Sequence, residues 1–324
     1  MHVSFKPEEK PTREVYNLLT GCIGPRPIAL VATMGDKGVN LAPFSFFNVF
    51  SVRPPVVAFS PLRRMRDGSM KHTCENLTKN RQCTIQVVTH DMVEQVNLCS
   101  GEFAEGVDEF VKSGLTPVAS HCVAPPRVAE SPFHMECQLL QMVALGSEGG
   151  AGNLAICEVL EFHVDESVIS HGVVDADAID LVGRMGGDHY VRASGQGLFL
   201  LPKVALTNCI GYEGLPVYMK HSEIYSANNL ARFAACDRMP GKGDVNNFIK
   251  KSLQQPCTDA PITRNVFMRH YNKGNYKHLL KYAVQVQGVQ NMPRKTALEM
   301  TAKAALANGN MPFAWNVAVY AGIT

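Results

Sequence analysis

The sequence predicts a mainly β protein, an antiparallel barrel or sandwich, with an α-rich region at its C-terminal end. Two observations lead to this prediction. Within the first 200 of the 324 residues, short apolar runs between turn residues dominate and do not alternate with helices. Beyond about residue 200, apolar residues recur at helical spacing instead. We therefore expect two domains, residues 1–200 and residues 201–324.

Five segments of the first domain have the length and composition of strands. They are residues 27–34, 55–60, 83–88, 133–145 and 153–164. A glycine-rich stretch separates the last two, which predicts that they pair as a hairpin.

Helices are predicted at a few places only. Residues 12–20 and 102–113 carry apolar residues at helical spacing, and a glycine follows each segment. In the second domain, Ser226 can cap one helix and Pro293 stands near the start of another.

Charge and composition exclude several classes of protein. The net charge is only +2, which argues against a dedicated nucleic-acid binder. No apolar window reaches the length of a membrane span, and the charged N-terminus lacks the apolar core of a signal peptide. We expect a cytoplasmic protein with no membrane contact. Its ten cysteines form no C-x-x-C pair, and metal ligands are not clustered along the chain, so no metal site is expected.

Common catalytic motifs are missing from the sequence. It contains no P-loop, no G-x-S-x-G and no H-E-x-x-H. Residues 150–155 satisfy a relaxed G-x-G-x-x-A pattern, but a strand follows where a dinucleotide site needs a helix. We read this segment as a hairpin turn.

The segment 40–48, NLAPFSFFN, has two open interpretations. Pro43, Ser45 and Asn48 interrupt an aromatic stretch, and proline is rare inside a core strand. The segment can offer backbone groups and small hydroxyls to a planar ligand at a strand edge. It can equally be a barrel strand with an edge proline.

The segment 63–73 also has two interpretations. It carries four cations and one anion, and Gly68 and Ser69 indicate a loop. Cations, hydroxyls and free backbone N–H groups suit a phosphate monoester. The alternative is a solvated basic loop.

Several motifs follow one another in the first domain. They are RPIALVAT at 26–33, NLAPFSFFN at 40–48, PPVVAFSP at 54–61 and KHT at 71–73 with Glu75 and Asn76. Further matches are GVDEF at 106–110, GLT at 114–116, ESP at 130–132, EC at 136–137 and RMGG at 184–187 with Tyr190. In this order, residues 20–192 resemble the flavin reductase-like family of FMN-binding split barrels.

The resemblance implies a Greek-key split β-barrel with flanking helices that forms a homodimer. One non-covalent FMN per subunit would lie near the dimer interface. The segment 43–48 would run along the flavin ring, 66–73 would hold the phosphate, and Ser60 would face the ribityl chain or phosphate. The cofactor-binding residues implied are Thr33, Pro43, Phe44, Ser45, Phe46, Phe47, Asn48, Ser60, Arg66, Ser69, Lys71, His72, Thr73, Asn76, Arg184 and Tyr190.

This chain departs from the family pattern at three places. His72 stands where many members have aspartate, so it does not inherit that residue's role. Gln86 stands near a frequent asparagine, and Cys157 precedes Glu158 where glycine is common. Residues 240–324 match only loosely and receive no role.

The resemblance implies an NAD(P)H-dependent flavin reductase that transfers a hydride from a nicotinamide to FMN, with a partner oxygenase or redox protein downstream. No catalytic side chain is expected, because the flavin carries the chemistry. The alternative is a non-catalytic FMN electron carrier that passes electrons to a partner protein. A third interpretation is a flavin-dependent oxidase of a small molecule.

Overall fold

A computed structural model describes residues 2–201, 203, 209–253, 262–285 and 287–323. The chain divides into two compact units, Met1–Leu200 and Leu201–Thr324. Within the described ranges, no helix is long and apolar enough to cross a membrane.

Thirteen strands lie in the described part of the first unit. They are β1 (Ala29–Gly35), β2 (Gly38–Phe44), β3 (Phe47–Val52), β4 (Pro55–Phe59), β5 (Gln82–Val87), β6 (Pro117–Val118), β7 (Arg127–Val128), β8 (Phe133–Ala144), β9 (Asn153–Val164), β10 (Ile169–Ser170), β11 (Val173–Val174), β12 (Val182–Arg184) and β13 (Tyr190–Arg192). Seven of them form one antiparallel sheet in the order β2-β1-β5-β8-β9-β4-β3. The predicted antiparallel sheet and the β8–β9 hairpin are confirmed.

The two edge strands of this sheet are consecutive in the chain. Only Ser45 and Phe46 connect the end of β2 to the start of β3. Because each residue spans at most about 3.6 Å, the end of β2 lies within about 11 Å of the start of β3, so the sheet is curled enough to bring these two strand ends close together. Pro43 lies in β2 opposite Leu30, and an edge strand tolerates its missing N–H.

The described α-helices are α1 (Thr12–Cys22), α2 (His72–Asn80), α3 (Val93–Leu98), α4 (Glu109–Ser113), α5 (Val217–Lys220), α6 (Ala227–Ala234), α7 (Lys242–Ser252), α8 (Arg264–Asn272), α9 (Tyr276–Val284), α10 (Arg294–Ala307) and α11 (Met311–Ala321). The predicted α-rich C-terminal region is confirmed. Ser226 caps α6 as expected, since its hydroxyl accepts the N–H of Asn229.

The helix predicted over residues 102–113 is wrong in its first half. The α-helix begins only at Glu109, because the Asp108 carboxylate accepts the N–H of Phe110 and caps it there. Gly106 has a φ of +89°, which the right-handed helix cannot adopt. The apolar spacing across this segment therefore spans a turn and a short helix.

Strand β1 is buried on both faces, which makes it the centre of the first unit. Ala29 and Val31 belong to the core on one side of the sheet. Leu30 and Ala32 belong to the core on the other side, together with side chains from α3 and α4. The second unit has an apolar core of its own between its helices.

Candidate functional site

Two side-chain hydrogen bonds attach α2 to the β1–β2 hairpin. The Asn40 amide donates to the Thr73 hydroxyl at 2.9 Å, and the Asn76 amide donates to the Thr33 hydroxyl at 3.2 Å. Thr33 and Asn40 are direct partners across the two strands. Thr73 and Asn76 are three residues apart, so they lie on one face of the helix. Both the position and the rotation of α2 are thereby fixed.

The N-terminus of α2 lacks a side-chain cap. Lys71 occupies the N-cap position, and its side chain makes no capping hydrogen bond. Lysine carries donors only, so it cannot accept the first N–H groups of the helix. These groups and the helix dipole give this end a partial positive charge. The arrangement is suited to an anion.

Lys71 is half-buried at this end of the helix. Its ammonium lies 5.7 Å from the centre of the Phe44 ring. Burial lowers the pKa of Lys71, and the charge of Arg64 adds to this effect while Glu102 opposes it. An anion bound beside Lys71 would favour its charged form.

The loop before α2 is organised by its own hydrogen bonds. The Ser69 hydroxyl and N–H donate to Asp67 at 2.5 and 2.9 Å, and these bonds lower the pKa of Asp67 to about 2. Arg64 donates to the Ser69 hydroxyl at 3.2 Å and to the Met70 carbonyl. Arg66 bonds Asp67 at 3.1 Å and is largely exposed.

A cavity of about 60 Å³ opens beside the α2 N-terminus. Its lining residues are Asn40, Ala42, Pro43, Arg64, Lys71, His72, Thr73, Cys99, Ser100, Gly101, Glu102, Phe103 and Glu109. A second cavity of about 10 Å³ adjoins His72 and Asn76. The structure thus gathers Pro43, Lys71, His72 and Thr73 around one space, whereas Arg66 and Ser69 do not line it.

Sequence reasoning missed five polar residues of this cavity, namely Asn40, Arg64, Ser100, Glu102 and Glu109. Asn40 and Arg64 lie within the two segments that were singled out, but nothing in the pattern separated them from their neighbours. The Glu109 carboxylate is buried and accepts the N–H of Leu41 at 2.9 Å. Burial raises the pKa of Glu109. Its place in the GVDEF motif was the available signal.

Arg184 and Tyr190 form a separate group at the start of β1. They are partners across β12 and β13, and the guanidinium carbon lies 4.5 Å from the tyrosine ring centre. Arg184 also pairs through its backbone with Arg26, whose guanidinium lies 6.0 Å from the Phe46 ring. Thr33 lies seven residues further along the chain from Arg26, a span of about 23 Å in extended conformation.

Ser60 directly follows β4, and its hydroxyl is buried without a hydrogen-bond partner among the described residues. Its N–H donates to the Phe46 carbonyl at 2.8 Å. A side chain at Gly152 would place its Cβ only 2.6 Å from the hydroxyl oxygen of Ser60. Glycine there leaves the hydroxyl room for another partner.

The other predicted ring contacts lie around the turn from β2 to β3. Phe44 packs against Phe59 with ring centres 5.4 Å apart, and Phe47 packs at the edge of the same core. Ser45 is half-buried. The side-chain amide oxygen of Asn48 accepts the N–H of Val49 at 2.8 Å, and the residue is exposed.

Comparison with known proteins identifies the family. Residues 22–177 match the family model described as a flavin reductase like domain. The chain belongs to the flavin reductase-like family. This confirms the resemblance drawn from the sequence motifs.

Proteins and solved structures similar to this chain match about 60% of its length. An uncharacterized protein of Halalkalibacterium halodurans is 35% identical over 191 residues, which is 58% of this chain and 91% of that protein. Nitrilotriacetate monooxygenase component B from Bacillus cereus is 30% identical with a TM-score of 0.58, covering 62% of this chain and 99% of that one. A Shewanella frigidimarina protein described as having a split barrel domain is 27% identical with a TM-score of 0.53, covering 62% of this chain and 100% of that one.

The attachment of α2 can be tested with a double-mutant cycle. We predict that Asn40→Ala and Thr73→Val are coupled by about 0.5–3 kcal/mol, because each removes one side of the same buried hydrogen bond. Hydrogen exchange of the α2 amides in the full chain measures the opening free energies. The control cycle pairs Asn40→Ala with Thr78→Val, whose hydroxyl bonds within the helix instead. Additive effects in the first cycle would contradict the geometry.

Proposed function

We propose that the first unit is an NAD(P)H-dependent flavin reductase that holds FMN without a covalent bond. The observation that carries this proposal is the uncapped N-terminus of α2, with Lys71 at the N-cap and a cavity beside it. In a chain of the flavin reductase-like family, a helix end with these properties fits the phosphate of the cofactor.

The residues on both sides of this helix end fit a phosphate monoester, which carries about −1.5 to −2 charges at neutral pH. Lys71 supplies a half-buried cation, and Arg64 lies beside it. The Thr73 hydroxyl accepts the Asn40 amide, so its own proton remains free to donate to an anion. Ser69 uses its proton on Asp67, and we assign it to shaping the loop.

The unpaired Ser60 hydroxyl fits the ribityl chain of the cofactor as a hydrogen-bond partner. A buried hydroxyl without a partner is unfavourable, and a polyol chain would provide one. We further propose that the curled sheet is a Greek-key split barrel and that the backbone of 43–48 runs along the flavin ring. Arg184 and Tyr190 are proposed to pack near the ring.

A bound flavin supplies the redox chemistry, accepting a hydride from the nicotinamide. The chain's own residues bind and orient it: α2 and Lys71 fix the phosphate end, and the turn from β2 to β3 supports the ring. Nitrilotriacetate monooxygenase component B is named as one component of an oxygenase system. We propose by analogy that this chain passes reduced flavin to a partner oxygenase.

We also propose a homodimer with the cofactor near its interface. Strand β3 is a sheet edge, and Val49, Phe50 and Val52 on it are 63%, 68% and 87% exposed. On α1, Leu18 and Leu19 are also exposed. Large apolar side chains concentrated on an edge strand favour pairing with a second copy.

Removal of the Lys71 charge tests the phosphate site. We predict that Lys71→Ala weakens FMN binding about tenfold to a hundredfold, since a charge-assisted hydrogen bond contributes roughly 1.5–3 kcal/mol. Riboflavin, which has no phosphate, should bind the variant as it binds the parent. The matched control is Lys79→Ala, because Lys79 lies at the other end of α2 and pairs with Asp36. An equal loss for both flavins would refute the assignment of Lys71 to the phosphate.

The reductase activity is tested by anaerobic titration of the FMN-loaded chain with NADH and then NADPH. We predict rapid bleaching of the visible flavin band by at least one nucleotide at low concentration. A band that survives both nucleotides but bleaches with dithionite would overturn the reductase and favour the electron carrier.

Sedimentation velocity tests the dimer. We predict that the parent chain is a dimer and that Phe50→Asp makes it a monomer, because a carboxylate would be buried in an apolar interface. Val111→Asp is the control. Val111 is 79% exposed, as Phe50 is largely exposed, but it belongs to α4 and not to the edge strand β3. A monomeric parent, or a Phe50→Asp variant that remains dimeric, would contradict this interface.

A further inference from the structure

Four potential metal ligands meet at the β8–β9 hairpin. They are His121 Nδ1, one carboxylate oxygen each of Glu136 and Glu161, and a ring nitrogen of His163, and all lie within 4.8 Å of one another. His121 Nδ1 is 2.9 Å from Glu161 Oε1, and His163 Nε2 is 2.8 Å from Glu136 Oε1. None of these residues belongs to the proposed flavin site.

The register of the hairpin explains the convergence. Glu136 on β8 is the direct partner of Glu161 on β9, and His163 lies two residues further along β9, on the same face. The loop that precedes β7 adds His121. Spacings of 15, 25 and 2 residues hide this cluster in the sequence, which is why no metal site was expected there.

The position of His121 is fixed by Glu136. The fully buried Glu136 carboxylate accepts the backbone N–H groups of His121 at 2.8 Å and Cys122 at 2.6 Å. The loop is therefore held against β8, with the His121 ring turned to Glu161.

Two carboxylate side chains face each other in this cluster, because Glu136 and Glu161 are direct partners on antiparallel strands. Like charges directly opposite on antiparallel strands are destabilising. Arg127 approaches Glu136 only to 3.7 Å, and it supplies a single positive charge. A divalent cation between the carboxylates would compensate both.

We propose that His121, Glu136, Glu161 and His163 bind a divalent transition metal of the zinc class. Imidazole nitrogens and carboxylate oxygens are common ligands of Zn²⁺, at about 2.0–2.2 Å. Around a tetrahedral ion, such bonds put neighbouring ligand atoms about 3.3–3.6 Å apart. Three of the six separations are 2.8, 2.9 and 4.0 Å, and all four ligand atoms lie within 4.8 Å of one another, so side-chain shifts of about an ångström would bring them to one ion.

A second cluster, formed by His90, Asp91 and Asp180, is a weaker candidate. Arg192 already donates two hydrogen bonds to Asp180, at 2.6 and 2.8 Å, and so occupies that carboxylate with a cation. This cluster provides the internal control for the first.

The test uses the full chain, stripped with a chelator and titrated with Zn²⁺ against a chromophoric competitor. We predict one tight equivalent in the parent. His121→Ala should lower the affinity at least about tenfold, since even outer-shell changes at metal sites have effects of that size. His121 is exposed, so this variant should fold. Glu161→Gln should weaken binding as well, and His90→Ala should leave it unchanged.

Co²⁺ gives an independent readout, because a tetrahedral site produces strong visible absorption that an octahedral aqueous ion lacks. Zn²⁺ should also raise the melting temperature of the parent but not of His121→Ala. Failure of the parent to bind one equivalent would overturn the proposal. So would binding that survives both His121→Ala and Glu161→Gln, or binding that is lost in His90→Ala.

Discussion

The candidate flavin site depends on how α2 is fastened to the β1–β2 hairpin. Two amide-to-hydroxyl hydrogen bonds, Asn40 to Thr73 and Asn76 to Thr33, join residues that are neighbours both on the strands and on the helix. Gly35 permits this approach, because a Cβ there would lie 2.5 Å from the side-chain amide oxygen of Asn76. The positive end of the helix is thereby held beside the cavity rather than left to rotate.

The sheet supplies the rigid base for this arrangement. Strand β1 is packed on both faces, so the hairpin that carries α2 has little freedom to move. One end of β1 carries Thr33 and the attachment of α2. The other end follows Arg26, which bonds the carbonyls of Thr20, Ile23 and Met185 and so ties α1 to the β12–β13 hairpin. A long ligand would find fixed polar groups at both ends of one buried strand.

The pattern of apolar and turn residues along the sequence predicted the main strands of the first unit, whose formation depends on local sequence. The strands now seen as β1, β4, β5, β8 and β9 were predicted because apolar runs between turn residues have few other solutions. The prediction of a helix over 102–113 was wrong in its first half, because apolar spacing carries no information about the positive φ of Gly106 or the cap at Asp108. The residues of the candidate site were predicted from the motif resemblance. Asn40 and Arg64 were not predicted, because their places in the site arise from tertiary contacts. The cluster around Glu136 was not predicted for the same reason, since the β8–β9 register and the loop that carries His121 bring it together.

The central claim is that the N-terminus of α2 holds the phosphate of FMN, and a crystal structure of the full chain with FMN tests it most directly. The account predicts that the phosphate oxygens accept hydrogen bonds from the first N–H groups of α2, the Thr73 hydroxyl and the Lys71 ammonium. A phosphate bound elsewhere, with no contact to this end of α2, would contradict it.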